Sequence, residues 1–259
     1  MAALKSPISL TVFRGFPDKG CFVWSPFVTK LEARLRFGNV SYRTEPGSVP
    51  QAPRGKVPYV SIDRGNGNCE ILADSALITR ALIELGDLED LNSNLTASSM
   101  LQDLSIRALL EDKLYFYQGH ERWVLNYYTM RSKIFGAFPW PLQVIIGNIA
   151  YKKIIRTMEG QGTLKFSPDE IASFRDETWD TLNNYASAVS HPDDTETPFW
   201  ILGGNAPTEA DATVFGFIAS NLVCDAAPET KAKVKSCPAL LDYARRIYTK
   251  YFPDYEMWK

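Results

Sequence analysis

The chain has 259 residues, 45% of them hydrophobic, and a formal charge of -2. That supports a sizeable core in one or two domains and excludes the strongly basic field of a general nucleic-acid binder, so no nucleic-acid partner is expected. Two histidines, and four cysteines scattered without a CxxC pair, exclude a histidine-rich metal centre or a zinc ribbon. Unpaired cysteine usage, and residues 1–7 without the apolar run of a secretory signal, point to a reducing, cytoplasmic setting.

The first element is a strand, because Ile8 to Phe13 alternates apolar and polar residues. A helix follows. Phe27, Lys30, Leu31, Ala33, Leu35 and Phe37 recur at near-helical spacing, Gly38 closes the segment, and Ser25-Pro26 stands at its start. Ser25 fits the N-cap and Pro26 the first helical position, where a missing N–H costs nothing. A helix start also favours an anion, including a thiolate, so Ser25 reads either as a cap or as part of a site that holds a thiol in reactive form. Val40 to Thr44 is a second strand, which makes the strand–helix–strand unit a parallel crossover. Residues 46–53 are a Pro- and Gly-rich loop. Lys56-Val57-Pro58 opens a third strand that runs to Asp63, a position where proline is tolerated and where a cis Val57-Pro58 bond would account for it. A turn over 64–68 returns the chain through Glu70-Ile71-Leu72, and Asp74-Ser75 caps a helix that Gly86 ends.

Residues 86–97 are polar and irregular, a linker, and the chain beyond them reads as helical. The expected division is 1–86 as a small α/β domain and 97–259 as an all-helical one. Residues 101–130 carry apolar side chains at helical spacing, rich in Tyr115, Phe116, Trp123, Tyr127 and their neighbours. The strongly apolar segment 134–151 is broken by Pro139, Pro141, Gln143 and Asn148. It is therefore expected as a buried helix and turn that lines a pocket, with contact to a membrane surface as the other reading. Ser167-Pro168-Asp169-Glu170 opens a further helix, residues 191–198 are loop, Thr208 with Asp211 forms a capping-box pair ahead of an apolar helix, and a last helix starts near Pro238.

Four markers in this order resemble the glutathione transferase superfamily: Ser25-Pro26, Lys56-Val57-Pro58, Asp74-Ser75, and Pro207-Thr208-Glu209-Ala210-Asp211. Ser25-Pro26-Phe27 with Lys30-Leu31-Glu32, and Gln161-Gly162 ahead of Ser167-Pro168, are similar to its failed-axon-connections and metaxin-like branch. The resemblance implies a thioredoxin-like N-terminal domain, an all-helical C-terminal domain and a homodimer, with glutathione bound in the first domain and an apolar electrophile between the two. Carried over, Ser25 faces the glutathione sulfur, the Val57 backbone ahead of Pro58 pairs with the cysteinyl unit, Asp74 and Ser75 hold the γ-glutamyl end, and Lys56 meets the glycyl carboxylate. Trp24, Tyr115, Arg122, Trp123 and Tyr127 are candidate substrate-binding residues, although an aromatic run at helical spacing equally describes core.

The expected chemistry is addition of a thiolate, stabilised by Ser25, to a bulky apolar electrophile. The outcome is either conjugation or reversible addition with cis–trans isomerisation of a conjugated double bond. The alternative is a non-catalytic interaction or membrane-associated module. Val28, two residues after Pro26, leaves no dithiol, and Cys21 and Arg14 each read as near the site or as structural.

Overall fold

The computed structural model describes residues 8–65, 69–190 and 196–259; residues 1–7, positions 66–68 of the expected turn and 191–195 of the expected loop lie outside the described residues. The N-terminal half is a four-stranded mixed sheet of β1 (Ser9–Phe13), β2 (Arg43–Glu45), β3 (Tyr59–Asp63) and β4 (Cys69–Ala73) in the order β2-β1-β3-β4. β1 runs parallel to β2, while β3 is antiparallel to both β1 and β4. The alternation of β1 sends Leu10 and Val12 to one face. There they meet Val60 and Ile62 of β3, Leu31 and Leu35 of α1 (Pro26–Phe37), and Ile78 and Leu82 of α2 (Ser75–Glu84). This is the thioredoxin-like layer, and an all-helical half follows it.

The expected helix over 101–130 is a continuous helical run from Ala97 to Leu125. It consists of α3 (Ala97–Ala108), a π-helical stretch Leu109–Leu114, α4 (Tyr115–His120) and a second π-helical stretch Glu121–Leu125. The run stops earlier than periodicity suggests. Asn126 leaves helical geometry, and both its backbone N–H and its side-chain amide donate to the Glu121 carbonyl, which closes the second π turn. The chain continues through α5 (Tyr127–Phe135), α6 (Trp140–Gln161), α7 (Pro168–Val189), α8 (Glu209–Leu222), α9 (Pro228–Lys235) and α10 (Pro238–Tyr251). The N-cap expected at Ser167 and the capping pair expected at Thr208 and Asp211 both form. Ser167 and Glu170 satisfy each other's backbone N–H groups at the start of α7, and Asp211 accepts from the Thr208 and Ile201 N–H groups, each at 2.7 Å, at the start of α8. α8 is buried from Ala210 to Leu222 and is the axis of the helical core, with Trp179, Leu182, Tyr243 and Ile247 around it.

One expectation is reversed. The 134–151 segment is not a buried helix: α6 buries only Gly147 and Met158, and Trp140, Ile145 and Ile149 are 58–70% exposed. Prolines at 139 and 141 restart the helix in a new direction, so that α5 and α6 meet at a bend of 119° and form an arm. Contact with the rest of the arm is made where Gly147 admits Tyr127 and Arg131 of α5. Among the described residues, no single helix is long and apolar enough to cross a membrane.

α1 is sandwiched between the sheet and α8. At Gly216 of α8 an added Cβ would stand 2.7 Å from the Pro26 carbonyl oxygen and 2.7 Å from the Lys30 nitrogen, both backbone atoms with little room to retreat. Gly216→Ala is therefore expected to destabilise the protein by about 1–3 kcal/mol, read as a lower denaturant midpoint at unchanged slope. An unchanged midpoint would mean that the two helices are not held this close in solution.

Candidate functional site

The carboxyl end of β3's partner strands and the start of α1 and α2 bring together most of the predicted binding set. Ser25 occupies the N-cap of α1 in extended geometry, with Pro26 behind it, but its side chain makes no capping hydrogen bond. The helix start expected from sequence is present, and the hydroxyl is not spent on it. Val57-Pro58 is a cis peptide bond. The Val57 side chain packs against the cluster of Val23, Trp24 and Val28 that flanks Ser25, and also against Tyr59 and Ala73 at the end of the sheet. The Pro58 carbonyl accepts from the Asp74 N–H at 3.4 Å, which fixes the proline loop against the start of α2.

Asp74 sits at φ 83°, an uncommon conformation for a residue with a side chain, and caps α2 through the Ala76 N–H at 3.2 Å. Ser75 beside it is buried. Lys56 and Asp74, assigned by the resemblance to opposite ends of glutathione, are paired with each other, with Nζ to Oδ2 at 3.0 Å. Burial raises the Asp74 carboxyl, but the Lys56 ammonium and the N–H groups of Leu77 and Ala76 outweigh it and hold the group below the ordinary carboxylate range.

The helical half reaches this place through Tyr115. Its ring meets that of Phe27, in the first turn of α1, edge to face at 5.0 Å. The residue is 38% exposed, and burial pushes its hydroxyl's pKa up while the Arg122 and Lys56 cations pull it down. Tyr115 thus brings the helical half against the first turn of α1. Phe27 was readable only as a helix position, although its place directly after Ser25-Pro26 is the signal that could have marked it.

The other candidate wall residues lie elsewhere. Arg122 is buried and donates to the Trp24 carbonyl at 2.8 Å and to Asn221 Oδ1 at 2.7 Å, so it holds the loop ahead of Ser25 from behind and does not line a pocket. Trp24 is itself buried against Phe16, Val28 and Met130, with Trp123 packed on the same cluster. Tyr127 belongs to the arm, where its hydroxyl donates to Asn148 at 3.0 Å. Arg14 is buried, paired with Glu32 at 2.9 Å, and donates to the carbonyl of Asp18 at 2.8 Å and to that of Cys21. The Cys21 backbone pairs with that of Glu256 in an isolated parallel β-bridge, and burial raises its thiol's pKa, the opposite of an activated nucleophile. Among the described residues, one concavity lies on the arm and another runs beside the segment that precedes Ser25. One, of about 530 Å³, is lined by Ile149, Lys152, Lys153, Arg156 and Thr157 of α6, and the other, of about 410 Å³, runs past Cys21, Trp24 and Trp258.

With a thioredoxin-like sheet, a cis-proline loop facing the start of α1 and an α8-centred helical half in place, comparison with known proteins gives one consistent answer. The model of the glutathione S-transferase N-terminal domain matches residues 26–130 and that of the glutathione S-transferase C-terminal domain matches residues 197–247, and the chain belongs to this family. It is 24% identical over 254 residues to Failed axon connections of Drosophila melanogaster, covering 90% of this chain, and spans only 55% of that relative's length. It is 27% identical over 207 residues to human (Homo sapiens) Metaxin-2, covering 78% of this chain and 72% of that protein. A glutathione transferase family member from Pseudomonas fluorescens pf-5, crystallised with two glutathione bound, superposes with a TM-score of 0.56 at 12% identity over 97% of this chain and 92% of its own. At that identity the likeness concerns the fold.

The Lys56–Asp74 pair makes a direct prediction. Because the Asp74 value is depressed in the folded protein, the pair's contribution to stability is present above the ordinary Asp range and fades as pH falls through the depressed value. Lys56→Met should raise the Asp74 titration midpoint in a carboxyl-carbon NMR titration, and an unmoved midpoint would show that the ion pair does not persist in solution.

Proposed function

We propose that this protein is a glutathione-dependent transferase that presents a thiolate to a bulky apolar electrophile. The observation that supports the reading is the Ser25 hydroxyl, left out of the α1 cap, in a segment whose neighbours Val23, Trp24 and Val28 pack against Val57 of the cis Val57-Pro58 bond. Glutathione supplies the thiol. Its peptide portion suits the backbone edge at Val57, its ammonium suits Asp74, and its carboxylates suit Lys56 and the Ser75 hydroxyl at a helix start. The Lys56–Asp74 pair is then a preset of opposite charges that a zwitterionic ligand would separate and re-pair. The Ser25 O–H donates toward the sulfur, and the positive end of α1 adds to it; both lower the thiol pKa. Tyr115 and Phe27 form the apolar, desolvated side on which an electrophile would rest. Conjugation and addition followed by cis–trans isomerisation make the same demand on these residues, and either requires a reducing, glutathione-rich compartment such as the cytoplasm.

Homodimerisation would draw on the exposed apolar side chains of β4 (Ile71), α2 (Leu77) and α3 (Met100, Leu101 and Leu104). Leu101→Glu is expected to convert a dimer to a monomer by light scattering, and a monomeric parent protein would remove the proposal.

The function is tested by calorimetric titration with glutathione, followed by the ultraviolet absorbance of the bound thiolate. Ser25→Ala should raise the bound thiol's pKa by about 1 with a smaller change in affinity, while Asp74→Ala should weaken glutathione by roughly tenfold or more. Heat of binding with a depressed thiol pKa supports the enzyme. No binding at millimolar glutathione would leave Ser25 a helix start and the fold an interaction module.

A further inference from the structure

The arm of α5 and α6 is a large part of the helical half that the fold leaves without cover: α6 buries only Gly147 and Met158 and α5 only Met130. On α6, Leu142, Ile145 and Ile149 recur at steps of three and four residues and so share a face, and the same face continues through Lys152, Lys153 and Arg156. Phe138 and Trp140 stand at the turn, and Tyr128 of α5 is 74% exposed. An apolar surface of this extent, left open to water, marks an interaction site.

Charge says what kind of site. Between residues 127 and 158 the chain has no acid at all, yet it has five bases: Arg131, Lys133, Lys152, Lys153 and Arg156. The whole chain is formally -2, so the arm is a local positive island on a negative protein. Lys133 pairs with Asp18 at 3.1 Å, while Lys152, Lys153 and Arg156 surround the open concavity of about 530 Å³ on α6. A second copy of the chain is a poor occupant, since a twofold contact would set two basic faces against each other. Exposed aromatics at a proline turn, aliphatic residues behind them and lysines beyond form the composition of an element that lies in the headgroup layer of a bilayer.

We propose that the α5–α6 arm docks this protein onto an anionic membrane surface, with the turn at Phe138 and Trp140 and the Ile145–Ile149 face entering the headgroup layer and the α6 lysines meeting lipid phosphates and carboxylates. The arm rests on the surface and does not cross the bilayer. Its two helices are bent by 119°, neither is long and apolar enough alone, and Gln143 and Asn148 interrupt the apolar stretch.

The full chain is floated with vesicles of phosphatidylcholine alone and with about 30% phosphatidylserine. Retention is expected on the anionic vesicles, to fall with added salt, and to be weak on phosphatidylcholine. The double variants Lys152→Glu with Lys153→Glu, and Ile145→Ser with Ile149→Ser, should each lose roughly tenfold or more of this binding while keeping the parent's circular dichroism melt, because all four positions point away from the core. As a check that needs no variant, anionic vesicles containing lipids with brominated tails should quench tryptophan fluorescence in the unaltered protein. Failure to float with anionic vesicles, variants that float as well as the parent, or absence of quenching would each overturn the proposal. So would an arm variant that changes only oligomeric mass, which would assign the face to a protein partner.

Discussion

The structure depends on the crossing of α1 and α8. α1 carries three charged residues in its middle, Lys30, Glu32 and Arg34, and all three are buried. Each has found an opposite charge: Lys30 with Glu111, Glu32 with Arg14, and Arg34 with Glu209. Burying an ion is costly unless it is paired and its remaining hydrogen-bonding groups are met; here the Tyr255 hydroxyl also donates to Glu32 and Arg34 donates to the Glu89 carbonyl, while Glu32 Oε2 and Arg34 Nη1 are buried without a hydrogen-bond partner. Pairs of this kind add little net stability compared with a well-packed apolar contact, but breaking one strands a charge. They consequently fix how α1 lies among its neighbours more than how tightly: Arg34 ties it to α8, Lys30 to the first π-helical stretch, and Glu32 to Arg14 just beyond β1. Gly216 sets the distance of that crossing, and the end of α1 that it touches is the turn that starts at Ser25. The position of the candidate thiol-binding hydroxyl is therefore set from the helical half as much as from the sheet.

Arg122 extends the same dependence. It reaches from the second π-helical stretch to the carbonyl of Trp24, one residue before Ser25, and is steadied by Asn221 of α8. A π turn adds a residue to the helical circuit and shifts the direction of everything after it. The stretch at Glu121–Leu125 carries Arg122 inward and Glu121 to the start of α9, where Glu121 accepts from the N–H groups of Glu229 and Thr230. In this way one irregular turn joins the site loop, α8 and α9.

Much of this was legible where the signal is local. Ser25-Pro26, Lys56-Val57-Pro58, Asp74-Ser75 and the Thr208–Asp211 pair each declare a boundary through conformational preferences of two or three adjacent residues, and each boundary is where the sequence puts it. What stayed hidden depends on distant partners. The pairing of Lys30, Glu32 and Arg34 is not legible, because nothing near them in sequence reveals Glu111, Arg14 or Glu209. Arg122 looks like a pocket cation for the same reason, since its carbonyl partner lies 98 positions away. The 134–151 segment misled in the opposite sense. Hydropathy alone says that a segment is apolar but does not say what covers it, and the prolines that break the helix also swing it away from the core. Tyr115 was named as one aromatic among several; its distinction, an edge contact with Phe27, exists only once the two halves are assembled.

The bond from Arg34 to Glu209 spans 175 positions in the chain. During synthesis the first 86 residues emerge long before Glu111 and Glu209 exist, and a nascent α1 must carry two cations that have no place in a finished apolar interface. The sheet layer can collapse at that stage, but the buried pairs of α1 with Glu111 and Glu209 close only after those residues have been made. Exchanging one half for that of a related protein would meet the same obstacle: a grafted helical half must bring acids at the positions of Glu111 and Glu209, or the grafted sheet would be left with buried charges and no partner for them.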